Sequence, residues 1–318
     1  MSTTINTIYT FATQQISIYF GIPILIGGVL GGILNIIVFL SLQTFRESSC
    51  AFFLTIMSFV NIGQLITGLL SRIMISGFNI DWTETSLFYC KFRISCLQVC
   101  ALTSYTCMCL AVIDQLLATS LQPHWQQYLN TKKAYRLCAI VFVIWLLHSV
   151  PSLIWYNLSF SVRTGKVGCV ITNPIFQQYY TYVYLLILAG VLPIIIDIIF
   201  GSIAYSNVRQ IPYRTIPLIR RELDKQLTTM VLVQVVFKVF IIIPYISVLF
   251  ILNTANLSNN SINVTQLNFV SFSPFYIYIC VSKRFRQQFI HVISIIVSKR
   301  WKRPITGINR VSAEEQQQ

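Results

Sequence analysis

The sequence predicts an all-α fold: seven membrane-spanning helices in a bundle, followed by a short amphipathic helix on the membrane surface. Three observations carry that prediction. Hydrophobic residues make up 55% of the 318 residues and charged residues 10%, whereas globular chains carry roughly 25% charged, so there is too little charge to coat a water-facing surface. Seven stretches reach the roughly 20 apolar residues that a helix needs to cross about 30 Å of hydrocarbon with its backbone satisfied internally. The 23 Lys and Arg behind the +14 net charge lie mostly in short gaps between those stretches, a mark of membrane topology and not of a polyanion-binding surface. Disordered, collagenous and nucleic-acid-binding chains are excluded on the same grounds.

In order, the predicted spans are 17–42, 51–72, 94–120, 137–160, 179–206, 226–253 and 264–282. The first, second, fourth and seventh hold no Asp, Glu or Lys, and no Arg before the end of the second. Seven crossings put the chain ends on opposite faces, and loop charge orients them. With the N-terminus outside, the inner segments carry seventeen Lys and Arg, the outer ones only Arg72, Lys91, Arg93, Arg163 and Lys166. The glycosylation acceptors Asn157, Asn256, Asn259 and Asn263 then all fall at outer edges. Residues 1–16 form an extracellular N-terminus without the basic start and cleavage site of a signal peptide. The membrane domain covers 17–297, with the surface helix at 283–297, and 298–318 is a cytoplasmic tail. Plasma-membrane placement, N-out and C-in, is the expectation.

Cys90, at the outer mouth of the third span, and Cys169, in the loop after the fourth, both face the oxidising side in this orientation. A bridge would tie that loop over the bundle; two free thiols are the alternative. Cys96, Cys100 and Cys107 share a helix face, but no His joins them, so no metal is expected. The three histidines and the absence of any nucleophile-elbow, zinc-protease or phosphate-loop motif argue against an enzyme and against a cofactor.

Twenty-five residues beyond Cys90, where the third span meets the cytoplasm, stands Asp114-Gln115-Leu116. With Asn35, Asn61, Trp145, Pro193, Pro244 and Ser273-Pro274-Phe275-Tyr276-Ile277-Tyr278 in order on successive spans, the chain resembles the rhodopsin-like (class A) G-protein-coupled receptors over about 17–297. In character it is most similar to the neuropeptide-type members. The resemblance implies a receptor that binds an extracellular ligand and activates a heterotrimeric G protein. Asp114, Gln115, Leu116, Arg220, Arg221, Pro244, Pro274 and Tyr278 would serve coupling and switching. Leu97, Gln98, Ala101, Tyr182 and Tyr245 would line the outer ligand cavity. Leu97 stands where amine receptors place Asp, and Leu267 where opsins place the retinal-linking Lys, so a peptide or lipid-like ligand is favoured over an amine. A transporter or channel, or a non-signalling receptor homologue, is the alternative.

Several positions depart from the family. Gln115 replaces the Arg of Asp-Arg-Tyr and cannot form an ion pair; Asp224 is a candidate partner for it. Asn61 replaces the buried carboxylate, leaving a sodium ion only neutral oxygens such as those of Asn61, Ser104 and Ser273. Ile241-Ile242-Ile243-Pro244 keeps the proline but lacks the aromatic switch. Lys238 lies six residues before Pro244, and Asp197 four after Pro193. A charge at a span centre costs about 2.5–3.5 kcal/mol, so such residues usually find partners; an ion pair between the fifth and sixth spans is one reading, and Lys238 snorkelling toward the inner face is the other.

Overall fold

A computed structural model describes residues 14–15, 17–41, 43–46, 48–120, 123–126, 130–161, 166–210, 226–243, 276, 280, 285–287, 289–291 and 293–294. The seventh span lies almost wholly outside the described residues. So do Asp224, Pro244, Tyr245, Arg220, Arg221, Leu267, Ser273, Pro274, Tyr278, Asn256, Asn259 and Asn263.

Among the described residues, six helices are long and apolar enough to cross a membrane: α1 (Ser17–Ser41), α2 (Ser49–Gly77), α3 (Leu87–Thr119), α4 (Thr131–Trp155), α5 (Pro174–Val208) and α6 (Gln226–Ile243). Polar caps set their starts. The Ser48 side chain accepts from Ala51 N at the head of α2, and Ser86 accepts from Tyr89 N at the head of α3. At α5, Asn173 accepts from Ile175 N and Phe176 N, with Pro174 in the first turn. Such caps satisfy amides that have no partner within the helix. Because Ser86 provides that start, α3 begins seven residues before the apolar stretch and carries Cys90, Lys91 and Arg93 on its outer turns.

Glycine permits a close approach of α1 and α2. A Cβ on Gly32 of α1 would stand 2.7 Å from Ile62 Cγ1 of α2. The inner half of the bundle is packed around Phe39, Phe53, Leu54, Met57, Leu227 and Met230, all buried. Phe285 joins that core, its ring 5.6 Å from Phe39. The described residues from 285 to 294 are helical; Phe289 packs on the core while Ile290 and Ile293 are exposed.

The fourth span corrects the sequence expectation. Its helix ends at Trp155, not at residue 160, and the chain turns into strand β1 (Tyr156–Ser161), paired antiparallel with β2 (Lys166–Ile171). Asn157 is therefore a strand residue opposite Val170 and not a helix-edge residue. The reason is visible in the sequence: Tyr156, Leu158 and Phe160 alternate with Asn157, Ser159 and Ser161, the period of a half-buried strand. An apolar average cannot distinguish that from a helix end. The hairpin closes where Thr172 N donates to Trp155 O at 3.0 Å.

α5 is wound as a π-helix over Tyr179–Val191, just before Pro193, and α2 over Leu65–Leu70 and Ile73–Gly77. Such widened turns rotate the faces that follow and occur often at functional sites.

Candidate ligand and coupling sites

At the outer end, Cys90 of α3 and Cys169 of β2 form a disulfide, with Cα atoms 5.8 Å apart. The pairing of Leu158 with Cys169 brings the cysteine over α3. Around the bridge, Cys90, Tyr156 and Phe176 make a small core. Burial, with the Tyr180 phenol beside it, pushes the Tyr156 phenol well above the ordinary tyrosine value and keeps it neutral.

Below this lid lie the described ligand candidates. Leu97 is half-buried and Ala101 buried, packed with Tyr105 and Ala189. Gln98 is buried and both ends of its amide are engaged. Its Oε1 accepts from Ser152 Oγ at 2.6 Å, and its Nε2 lies 3.1 Å from His148 Nδ1. His148 Nε2 in turn meets the Tyr179 hydroxyl at 2.8 Å. This chain of polar groups joins α3, α4 and α5, so Gln98 serves the packing of three helices. Tyr182 is 51% exposed, whereas Tyr184 is 4% exposed and packs near His148 and Tyr180.

At mid-depth, Lys238 Nζ of α6 donates to Asp197 Oδ2 of α5 at 2.7 Å, with residue exposures of 2% and 0%. The ammonium also lies 5.1 Å from the centre of the Tyr105 ring on α3, a cation–π distance. Cys109 Sγ, 3.9 Å from Pro193 O, adjoins the pair. Next to it Ser104 Oγ donates to Asn61 Oδ1 at 2.6 Å, and Gln234 Nε2 donates to Met57 Sδ at 3.6 Å. A cavity of about 10 Å³ between Asn61, Ser104, Gln234 and Lys238 has room for no more than one water molecule. With an ammonium in its wall, that cavity electrostatically disfavours a second cation.

At the inner end, Asp114 and Gln115 are buried and Leu116 is half-buried. Gln115 Oε1 accepts from Thr228 Oγ1 of α6 at 2.7 Å. The structure thus brings Asp197 to Lys238, Cys90 to Cys169 and Gln115 to the head of α6. Of the 273–278 motif, Tyr276 is described, and its hydroxyl donates to Gly27 O of α1 at 3.3 Å.

Comparison with known families decides the identity of this bundle. The family model for the 7 transmembrane receptor (rhodopsin family) matches residues 31–282, more than half of the chain. The chain belongs to that family. No curated protein matches it individually. The receptor is accordingly an all-α, multi-pass membrane protein of seven spans, six of them among the described residues. Its family is one of G-protein-coupled receptors, generally non-enzymatic, which in general take an extracellular ligand and a G protein.

Proposed function

We propose that this chain is a ligand-activated receptor of the plasma membrane, N-terminus outside and C-terminus inside, that passes binding of a peptide or lipid-like ligand to a heterotrimeric G protein. The observation that carries the reading is that α6 is held by two polar ties at different depths. Lys238 binds it to Asp197 of α5, and Thr228 binds it to Gln115 of α3. Ligand in the outer cavity, near Leu97 and Ala101, favours a state in which α6 swings about Pro244 and both ties open. The inner crevice so formed is lined by Gln115, Leu116, Arg220, Arg221 and Tyr278, beside Asp114 and Pro274, and its basic residues complement an acidic partner surface. Glycans at Asn157, Asn256, Asn259 and Asn263 belong to the outer face in this orientation.

Because Gln115 supplies no cation, the inner tie is a neutral hydrogen bond, worth about 0.5–1.5 kcal/mol. Basal signalling is therefore higher than in a receptor locked by an ion pair. The test is guanine-nucleotide exchange on a co-expressed G protein, comparing the wild type with Gln115→Ala. Measurable basal exchange that rises in the variant supports the reading. No exchange with any G protein under a ligand screen identifies a non-signalling homologue, which the loss of the arginine favours. Substrate flux in vesicles would establish a transporter instead.

A further inference from the structure

The polar chain that joins α3, α4 and α5 contains an imidazole, the one side chain whose ordinary titration, at about pH 6.5, falls near neutrality. His148 is half-buried and lies seven residues before Trp155, so it sits about 10 Å below the end of α4 that leads into the hairpin. Its partners fix where the ring carries its proton. Ser152 Oγ donates to Gln98 Oε1 at 2.6 Å, which turns the amide nitrogen toward the ring, 3.1 Å from Nδ1. An amide nitrogen donates and does not accept, so Nδ1 is bare and Nε2 carries the hydrogen, 2.8 Å from the Tyr179 oxygen. The ring in this arrangement is neutral.

A second proton enters at Nδ1, where the new N–H faces the N–H of Gln98. Two donors cannot bond each other, and the amide presents its oxygen to the ring only by turning over and leaving Ser152. Gln98 and Ser152 are both buried, where a polar group that loses its partner is costly. The titratable groups facing the ring are the phenols of Tyr179 and Tyr184 on α5. From α3 it meets the neutral Gln98, and on α4 itself the Trp145 ring, perpendicular to it at 5.7 Å. Among the described residues no carboxylate is within ion-pair distance of His148, so a half-buried imidazolium there has no counter-charge.

We propose that His148 is a proton-operated tie: acidification charges the ring, breaks its bond to Gln98 and loosens α4 and α5 from the face of α3 that carries Leu97 and Ala101. Acidity thereby resets the wall of the outer cavity without any ligand. This inference rests on the receptor reading only in calling that wall the ligand face.

The experiment uses the full receptor in uncharged phosphatidylcholine nanodiscs and has two readouts. The chain has three histidines, so the His124→Gln/His291→Gln variant leaves His148 as the only imidazole and leaves the tie intact. In that variant, labelled with nitrogen-15 histidine, magnetic resonance at pH 7.5 is expected to show a bare Nδ1 and a protonated Nε2, and at pH 5.5 a ring protonated at both. The second readout is thermal unfolding. Between pH 7.5 and 5.5 the unfolding temperature is expected to fall by about 2–3 °C more in the wild type than in His148→Gln, the effect of losing about one hydrogen bond. The His124→Gln/His291→Gln variant keeps the wild-type response, and Gln98→Leu, which removes the opposing donor, loses part of it. A ring already charged at pH 7.5, a hydrogen on Nδ1 in place of Nε2 at that pH, or equal responses in the wild type and His148→Gln would overturn the proposal. No ligand or G protein enters either readout, so their failure leaves the coupling reading standing, and absent nucleotide exchange leaves the proton tie standing.

Discussion

Breaking the Lys238–Asp197 pair one side at a time tests the central feature of the bundle. At 2.7 Å the gross Coulomb attraction is about 6 kcal/mol for an effective dielectric constant of about 20. Withdrawing each ion from water costs several kcal/mol, so the intact pair is worth little over a neutral replacement, while either charge left alone costs about 3–5 kcal/mol. Lys238→Met leaves Asp197 buried without its cation, in a site where Oδ1 has no hydrogen-bond partner among the described residues. It should fall at the upper end of that range. Asp197→Asn leaves the ammonium against the Tyr105 ring, whose cation–π attraction of about 0.5–2 kcal/mol offsets part of the loss. The double change removes both charges and leaves one buried amide, costing about 1–3 kcal/mol. The cycle therefore predicts a coupling energy of about 3 kcal/mol or more. Unfolding is read with a thiol-reactive dye, since the Cys107 and Cys109 thiols are buried in the native bundle. Single changes that add to within about 0.5 kcal/mol would mean that the two charges are not coupled, and the account of α6 would be wrong.

Three further outcomes are expected. Cys90→Ser or Cys169→Ser opens a loop with a sequence separation of 79, for which chain entropy gives a loss of about 4.5 kcal/mol; unfolding in the presence and absence of reductant should differ for the wild type and coincide for the variants. Gly32→Ala places a methyl group 2.7 Å from Ile62 Cγ1 and should destabilise by about 1–3 kcal/mol, with a smaller cost in an Ile62→Ala background, which removes Cγ1 itself. Gln98→Leu removes the amide that joins Ser152 to His148 and should cost about 1–3 kcal/mol, measured by the same unfolding assay; a neutral result would show that the three-helix network contributes nothing to stability.

Much of this receptor is written in one-dimensional features. Hydrocarbon thickness demands a run of apolar residues, so the spans up to α6 are legible from composition alone, as is the expectation that charges within a span seek each other. Lys238 and Asp197 are two isolated charges at similar depth on neighbouring spans, and cysteines on the same face of the membrane invite a bridge. The signal for β1 was also present in the alternation from Tyr156 to Ser161, hidden by an apolar mean.

Residues whose role depends on rotation or on distant partners were not legible. Tyr184 rather than Tyr182 is buried, against Tyr180 and His148, which depends on the neighbouring helices and not on residue type. Gln98 reads as a cavity residue until Ser152 and His148, 54 and 50 residues away, take up its amide. The Thr228 hydroxyl that meets Gln115 comes from 113 residues along the chain. The sequence by itself determined that the chain crosses the membrane, because transfer free energy is summed along a segment. The tertiary structure decided which polar groups meet, because a hydrogen bond or ion pair forms only when two side chains from different helices arrive within about 3 Å of each other.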